Sequence, residues 1–124
     1  MKRDGATISL WQDTVGDVNL PTGQNGNRFD VLIVGGGITG ITTALLLQKQ
    51  GLQCVIAEAH TLCFGTTGGT TSHINTFFDT SYDQIESDFG ADAAKLVSRA
   101  ANRARDLFQQ HVVEYNIDCG FEEK

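Results

Sequence analysis

Phe29-Asp30-Val31-Leu32-Ile33-Val34-Gly35-Gly36-Gly37-Ile38-Thr39-Gly40 is the stretch from which the fold is read. Its first half is a run of β-branched and other apolar residues that stops abruptly at three glycines. Such a run, bounded by glycine, predicts a strand over 29–34 buried on both faces, as in a parallel sheet. Downstream, Ile38, Ile41, Ala44 and Leu45 recur at helical spacing, and Leu46 and Leu47 widen the apolar face. A helix over 38–50 follows, with Gly51 as a natural stop. Residues 52–57 predict a second strand. Strand, tight turn, helix and strand over 29–58 have about the length of a βαβ unit, and the fold class expected is α/β.

Gly35-Gly36-Gly37-Ile38-Thr39-Gly40 fits G-x-G-x-x-G. The string alone is weak evidence, but here it lies between a predicted strand and a predicted helix, the context the motif requires. Gly35 allows the tight turn out of the strand, Gly37 lets a pyrophosphate approach the backbone, and Gly40 lets the helix pack close to the sheet. The free amides and positive dipole end of the helix, where Ile38 and Thr39 lie, then face the phosphates. Glu58 closes the second strand, where a carboxylate can accept hydrogen bonds from both hydroxyls of an adenosine ribose. A 2′-phosphate would meet it as like charge, which disfavours an NADP-type ligand. The plainer alternative is a glycine-rich turn beside a surface glutamate. Strand, turn, helix, strand and acid all agree, and that agreement weighs against it.

Gly65-Thr66-Thr67-Gly68-Gly69-Thr70-Thr71-Ser72-His73 is the next informative segment. Glycines leave backbone amides accessible and threonine hydroxyls donate hydrogen bonds, so the loop can wrap a diphosphate and reach further along a ligand. The alternative is a plain surface loop, in which Asp, Asn and Pro would be favoured over this density of Thr and Gly.

Taken together, residues 30–40, the Glu58-Ala59 pair and the Gly-Thr-Thr-Gly loop resemble the D-amino-acid-oxidase-like FAD oxidoreductases. The likeness is strongest to the bacterial group that carries a C-terminal Rieske iron–sulfur domain. Ser9-Leu10-Trp11 and the segment 82–90 share in it. The resemblance implies a Rossmann-type FAD/NAD(P)-binding fold, a parallel sheet with flanking helices, incomplete at the C-terminus. It implies FAD bound by Gly35, Gly37, Ile38, Thr39, Gly40, Glu58, Ala59, Thr66, Thr67, Gly68, Thr70, Thr71, Ser72 and His73. It further implies oxidation of an amine or amino-acid C–N bond, with hydride passing to the flavin and a small-molecule amine or amino acid as substrate. Relatives continue well beyond Lys124, so residues 1–28 are expected to form an N-terminal arm and 29–124 the first part of the FAD-binding domain. No Rieske cysteine–histidine motif and no catalytic residue are assigned within the chain, and turnover by this segment alone is not expected. Some relatives attach FAD through a histidine in a comparable loop. For His73 the expectation is an ordinary loop or flavin-adjacent residue.

Size and composition agree. A chain of 124 residues suits one domain, and 40% of them are hydrophobic. The formal net charge is −6, and the 9 basic residues form no patch. Nucleic acid and acidic membrane surfaces, which demand clustered Lys and Arg, are excluded as expected partners. Cys54, Cys63 and Cys119 are odd in number and far apart, which predicts free thiols in a reducing cytosol and no metal site. Cys63 has no neighbour in sequence that would activate it. Met1-Lys2-Arg3 is followed by Asp4-Gly5 and not by an apolar run, so no signal peptide is read, and no apolar stretch is long enough to span a bilayer. The expectation is a soluble cytoplasmic protein.

Outside the motifs, residues 1–28 read as a polar lead-in pinned to a surface by Trp11 and Ile8. A short helix is expected over 81–89, capped by Ser81, and a long one over 91–115. The long helix has a stripe of Leu96, Val97, Ala100, Ala104, Leu107, Phe108, Val112 and Tyr115. His111 lies on or beside that stripe in a structural role, and 116–121 is expected to begin another strand. Two other functions compete with the FAD reading. An NAD-dependent dehydrogenase explains the first motif and Glu58 but leaves the 65–73 loop idle. A non-catalytic nucleotide-binding module is the other.

Overall fold

The computed structural model describes residues 7–15, 28–71 and 73–122. The chain divides into two compact units, Met1–Thr71 and Ser72–Lys124.

In the first unit, α1 (Leu10–Thr14) precedes β1 (Val31–Val34), α2 (Ile38–Lys49) and β2 (Cys54–Ala57). The strands pair in parallel, from Val31 opposite Cys54 to Val34 opposite Ala57. Parallel strands cannot be joined by a hairpin, and α2 is the crossover that joins these. The ladder is extended at both ends. The Asp30 carboxylate accepts from the Gln53 amide at 2.8 Å, and the Gly35 amide donates to the Ala57 carbonyl at 2.9 Å.

The helix α2 packs against both strands, with Ala44 buried on its inner face. Gly40 sets how close it comes. A Cβ built there would lie 2.0 Å from the Gly35 carbonyl oxygen and 3.3 Å from the Ile33 side chain. The helix ends in a Schellman motif: the Leu52 amide donates to the Leu47 carbonyl at 3.2 Å and the Gly51 amide to Gln48 at 2.9 Å. Gly51 takes the left-handed conformation (φ 84°) that this ending needs.

One expectation is corrected here. The strand over 29–34 was expected to be buried on both faces, yet β1 alternates. Val31 and Ile33 are half-buried, while Leu32 is 63% and Val34 83% exposed. Within the first unit α2 packs on the two-stranded sheet, and Leu32 and Val34 stay exposed.

In the second unit, α3 (Tyr82–Phe89) packs against α4 (Ala91–Glu114). The Ser81 hydroxyl caps α3, accepting from the Gln84 amide at 3.2 Å. Gly90, with φ 88°, turns the chain between the two helices. The stripe on α4 is rotated from the expected one. Ala94 is buried and Val97, Ala101, Leu107, Phe108, His111 and Val112 are half-buried, whereas Leu96, Ala100, Ala104 and Tyr115 are exposed. Ala94 and Ala101 face inward where the expected stripe had Ala100 and Ala104. His111 packs its ring against Tyr115 at 5.6 Å, with both ring nitrogens shielded and no hydrogen-bond partner among the described residues.

The strand expected over 116–121 does not form. The helix α4 ends in a second Schellman motif, with the Ile117 amide on the Val112 carbonyl at 2.9 Å and Asn116 at φ 49° in the glycine position. Phe121 then packs on Phe108, ring centroids 5.8 Å apart, so the apolar residues of this segment serve their own helix and not a sheet.

The clearance at Gly40 yields a direct expectation. Gly40→Ala forces α2 away from β1 and costs about 1–3 kcal/mol, the usual range for overpacking. Denaturant unfolding of the whole protein checks it, and an unchanged midpoint would show that the helix is free to shift.

Candidate functional site

The glycine turn at 35–37, Glu58 and the loop over 61–71 meet in the first unit. Gly35 leaves β1 with φ 106°, a conformation that suits glycine. Gly36 is the junction. Its amide donates to Glu58 Oε2 at 2.6 Å, and its carbonyl accepts from the Cys63 amide at 2.9 Å. A Cβ on Gly36 would lie 2.5 Å from Leu62 Cδ2 and 3.3 Å from Glu58 Oε2. Sequence reasoning passed over Gly36 because the motif leaves that position open. A glycine at the middle of the three, where any residue would satisfy the pattern, was the available signal.

Glu58 is fixed from two sides, since Oε1 accepts from the His60 amide at 2.9 Å. These bonds, Gly36 first and His60 next, with help from the Ala59 amide, outweigh desolvation and hold the carboxyl below the ordinary carboxylate range. A carboxylate has about four acceptor sites, so the Gly36, His60 and Ala59 amides leave room for a ligand hydroxyl.

The loop after β2 is more ordered than its composition indicates. Phe64 donates to Thr61 at 3.1 Å, Gly68 to Cys63 at 2.8 Å and Gly69 to Gly65 at 3.0 Å, all backbone to backbone. The Gly68 amide, expected to be open to a ligand, is therefore spent inside the loop. Gly68 is also buried, and a Cβ there would lie 2.6 Å from the Cys63 carbonyl and 2.8 Å from Gln12 Nε2, so packing requires a glycine. His60 and Phe64 stack at 4.4 Å where the loop begins. Cys63 has φ 60°, and burial, then the Glu58 charge, pushes its thiol up, which disfavours the reactive thiolate.

Thr67 brings the loop to the start of α2. Its hydroxyl accepts from the Ile38 amide at 3.2 Å, capping a helix whose own N-cap, Gly37, has no side chain to do so. A Cβ on Gly37 would lie 3.1 Å from Thr67 Oγ1. The amides of Thr39 and Gly40 belong to the same first turn and have no partner within the helix. Thr66, Thr70 and Thr71 are exposed on the loop. Ser72 lies outside the described residues. His73 belongs to the second unit and is exposed.

The family model described as DAO, FAD dependent oxidoreductase, matches residues 30–124. The chain belongs to this family. FAD is the family's cofactor, and the site fits an adenine dinucleotide: a helix N-terminus beside a glycine turn, and an ionised carboxylate with acceptor sites to spare. Among curated relatives, the chain is 38% identical over 114 residues to a Bacillus subtilis (strain 168) protein, YhfW, named as a Rieske 2Fe-2S iron-sulfur protein. That match covers 92% of this chain and 22% of the relative. It is 30% identical over 92 residues to gamma-glutamylputrescine oxidoreductase of Escherichia coli (strain K12), covering 74% of this chain and 22% of that protein. A flavin-containing amine oxidase of Oncorhynchus mykiss is 46% identical over 41 residues, 33% of this chain and 8% of the oxidase. No solved structure matches the chain. This member of the DAO family thus spans only 22% of the length of the two relatives that match most of it.

Glu58 gives the site a pH signature. A carboxyl whose folded value is lowered contributes stability above its unfolded value and loses it as pH falls through the folded one. Glu58→Gln, which cannot accept from Gly36 and His60 as an anion, should melt lower than the native protein at about pH 7, with the gap closing as pH falls below the ordinary carboxylate range. Thermal melts across that range check this. A gap that does not change with pH would mean the two amides do not select the ionised form.

Proposed function

We propose that residues 29–124 are the N-terminal part of the FAD-binding domain of an oxidoreductase acting on an amine or amino-acid C–N bond, with 1–28 as a leading arm. The observation that carries the reading is the Glu58 carboxylate, fixed on the Gly36 amide beside the N-terminus of α2. In this reading Glu58 and Ala59 hold the ribose. Gly35, Gly37, Ile38, Thr39 and Gly40 receive the pyrophosphate, and Thr66, Thr67, Gly68, Thr70 and Thr71 line the path toward the flavin, with Ser72 and His73 assigned to FAD on the sequence resemblance alone. Bound FAD supplies the acceptor for the hydride that leaves the substrate carbon. The names of two relatives, gamma-glutamylputrescine oxidoreductase and flavin-containing amine oxidase, support an amine or amino acid as substrate. Three free cysteines accord with a reducing, cytoplasmic location. An NAD-dependent dehydrogenase would use the glycine turn and Glu58 but leave the 65–73 loop without a ligand.

In titrations by calorimetry or flavin fluorescence, the whole protein should bind FAD in preference to NAD. Glu58→Ala should weaken FAD binding roughly ten- to a hundredfold, the loss expected of charge-assisted hydrogen bonds. Gly37→Val should abolish it, because the side chain takes the space of the phosphates and presses on Thr67. Tight NAD binding without FAD, or stoichiometric flavin in Gly37→Val, would overturn the assignment.

The groups described here address adenosine and pyrophosphate. Hydride transfer also needs the substrate carbon held about 3–3.5 Å from the flavin in a water-excluding site. Residues 1–124 supplied with FAD and a panel of amines and amino acids should therefore show no substrate-dependent flavin bleaching in the absence of oxygen. Bleaching at a rate near that of the whole protein would place the catalytic groups within this segment.

A further inference from the structure

Of the arm's described residues, Ser9 and Trp11 bear on the 65–71 loop. With only five residues, α1 is too short to be stable alone. It is held by a capping box: the Ser9 hydroxyl accepts from the Gln12 amide at 3.2 Å, and Gln12 Oε1 accepts from the Ser9 amide at 3.1 Å. The same Ser9 hydroxyl donates to the Gly68 carbonyl, and the Trp11 indole N–H donates to the Thr70 carbonyl at 2.9 Å. Gln12 fits between them because Gly68 has no side chain. Ile8, expected to share the anchoring, is 73% exposed, so the hold is made by hydrogen bonds and not by apolar burial. Both partners in the loop are carbonyls. Across a planar trans peptide the carbonyl and the following amide point opposite ways. Trp11 therefore aims the Thr71 amide away from α1, and Ser9 fixes the peptide plane after Gly68.

We propose that Ser9 and Trp11 are positioning residues for FAD: through α1 they set the orientation of the 65–71 peptides before the cofactor arrives. The inference rests on the reading above that this loop contacts FAD. A loop of glycines and threonines loses much conformational freedom when it closes on a ligand, and a clasp already in place removes part of that cost. The cost then returns as weaker binding when the clasp is cut, although neither residue need touch the cofactor.

Hydrogen–deuterium exchange of the whole protein, with and without FAD, tests this on peptides covering 65–71, β1 and α2. In the native protein FAD should slow exchange in the loop. Trp11→Phe, which keeps the ring and loses the donor, and Ser9→Ala should each speed loop exchange in the FAD-free protein. Each should also weaken FAD binding roughly three- to tenfold, the worth of a neutral hydrogen bond. Exchange in β1 and α2 should stay unchanged, and Ser9→Thr, which keeps the hydroxyl, should restore affinity. If FAD does not protect the loop of the native protein, the FAD reading of the loop fails and the inference falls with it. If FAD does protect it, but the variants bind FAD as tightly as the native protein, the inference alone is overturned, whether or not loop exchange rises. A loss of affinity that Ser9→Thr does not restore, with β1 and α2 also exchanging faster, would mean general destabilisation and would equally overturn it.

Discussion

Two hydrogen bonds made by the backbone of one residue, Gly36, organise the first unit. The Gly36 amide holds the Glu58 carboxylate and the Gly36 carbonyl holds the Cys63 amide, so turn, second strand and following loop are tied at a single residue. The arrangement tolerates no side chain at that residue, because Leu62 and Glu58 already occupy the space. It also places a negative charge close to the N-terminal end of α2, where the helix dipole is positive. The charge is thus stabilised by backbone amides, and the same amides fix the direction in which its remaining acceptor sites face.

The loop that follows owes its order to the same economy of small residues. Gly68 is buried between the Cys63 carbonyl and Gln12, and Thr67 caps α2 in place of the glycine that cannot. A hydroxyl that accepts from the Ile38 amide still has its own hydrogen to donate. It can therefore serve the helix in the free protein and an anionic ligand in the bound one. The structure accounts for the mixture of glycine and threonine by two demands: close packing against α1, and a polar group at the start of α2.

Much of the first unit was legible in the sequence. Strand, glycine turn, crossover helix and second strand follow from apolar period and glycine punctuation, which are local properties. What was not legible depends on contacts distant in sequence. The helix α1 is nucleated by a capping box and held by carbonyls at Gly68 and Thr70, and no short window around Trp11 contains those partners. The exposed face of β1 was missed because an apolar run reads as buried, while the residues needed to cover Leu32 and Val34 are not among those described. In the second unit, the run from Ile117 to Phe121 has strand-like residues, yet the left-handed Asn116 ends α4 and turns Phe121 back onto Phe108. At the site, Gly36 was overlooked and Gly68 was credited with an open amide, because a motif names positions and not the bonds made between them.

A crystal structure of the whole protein with FAD bound decides whether the turn after β1, the start of α2 and Glu58 form one adenine-dinucleotide site. Phosphate oxygens should lie within hydrogen-bond distance of the Ile38 and Thr39 amides. The ribose diol should lie on Glu58, whose bond to Gly36 is retained. Adenosine and phosphates bound elsewhere, with Thr67 still on the Ile38 amide and the free positions of Glu58 facing no ligand, would contradict such a site.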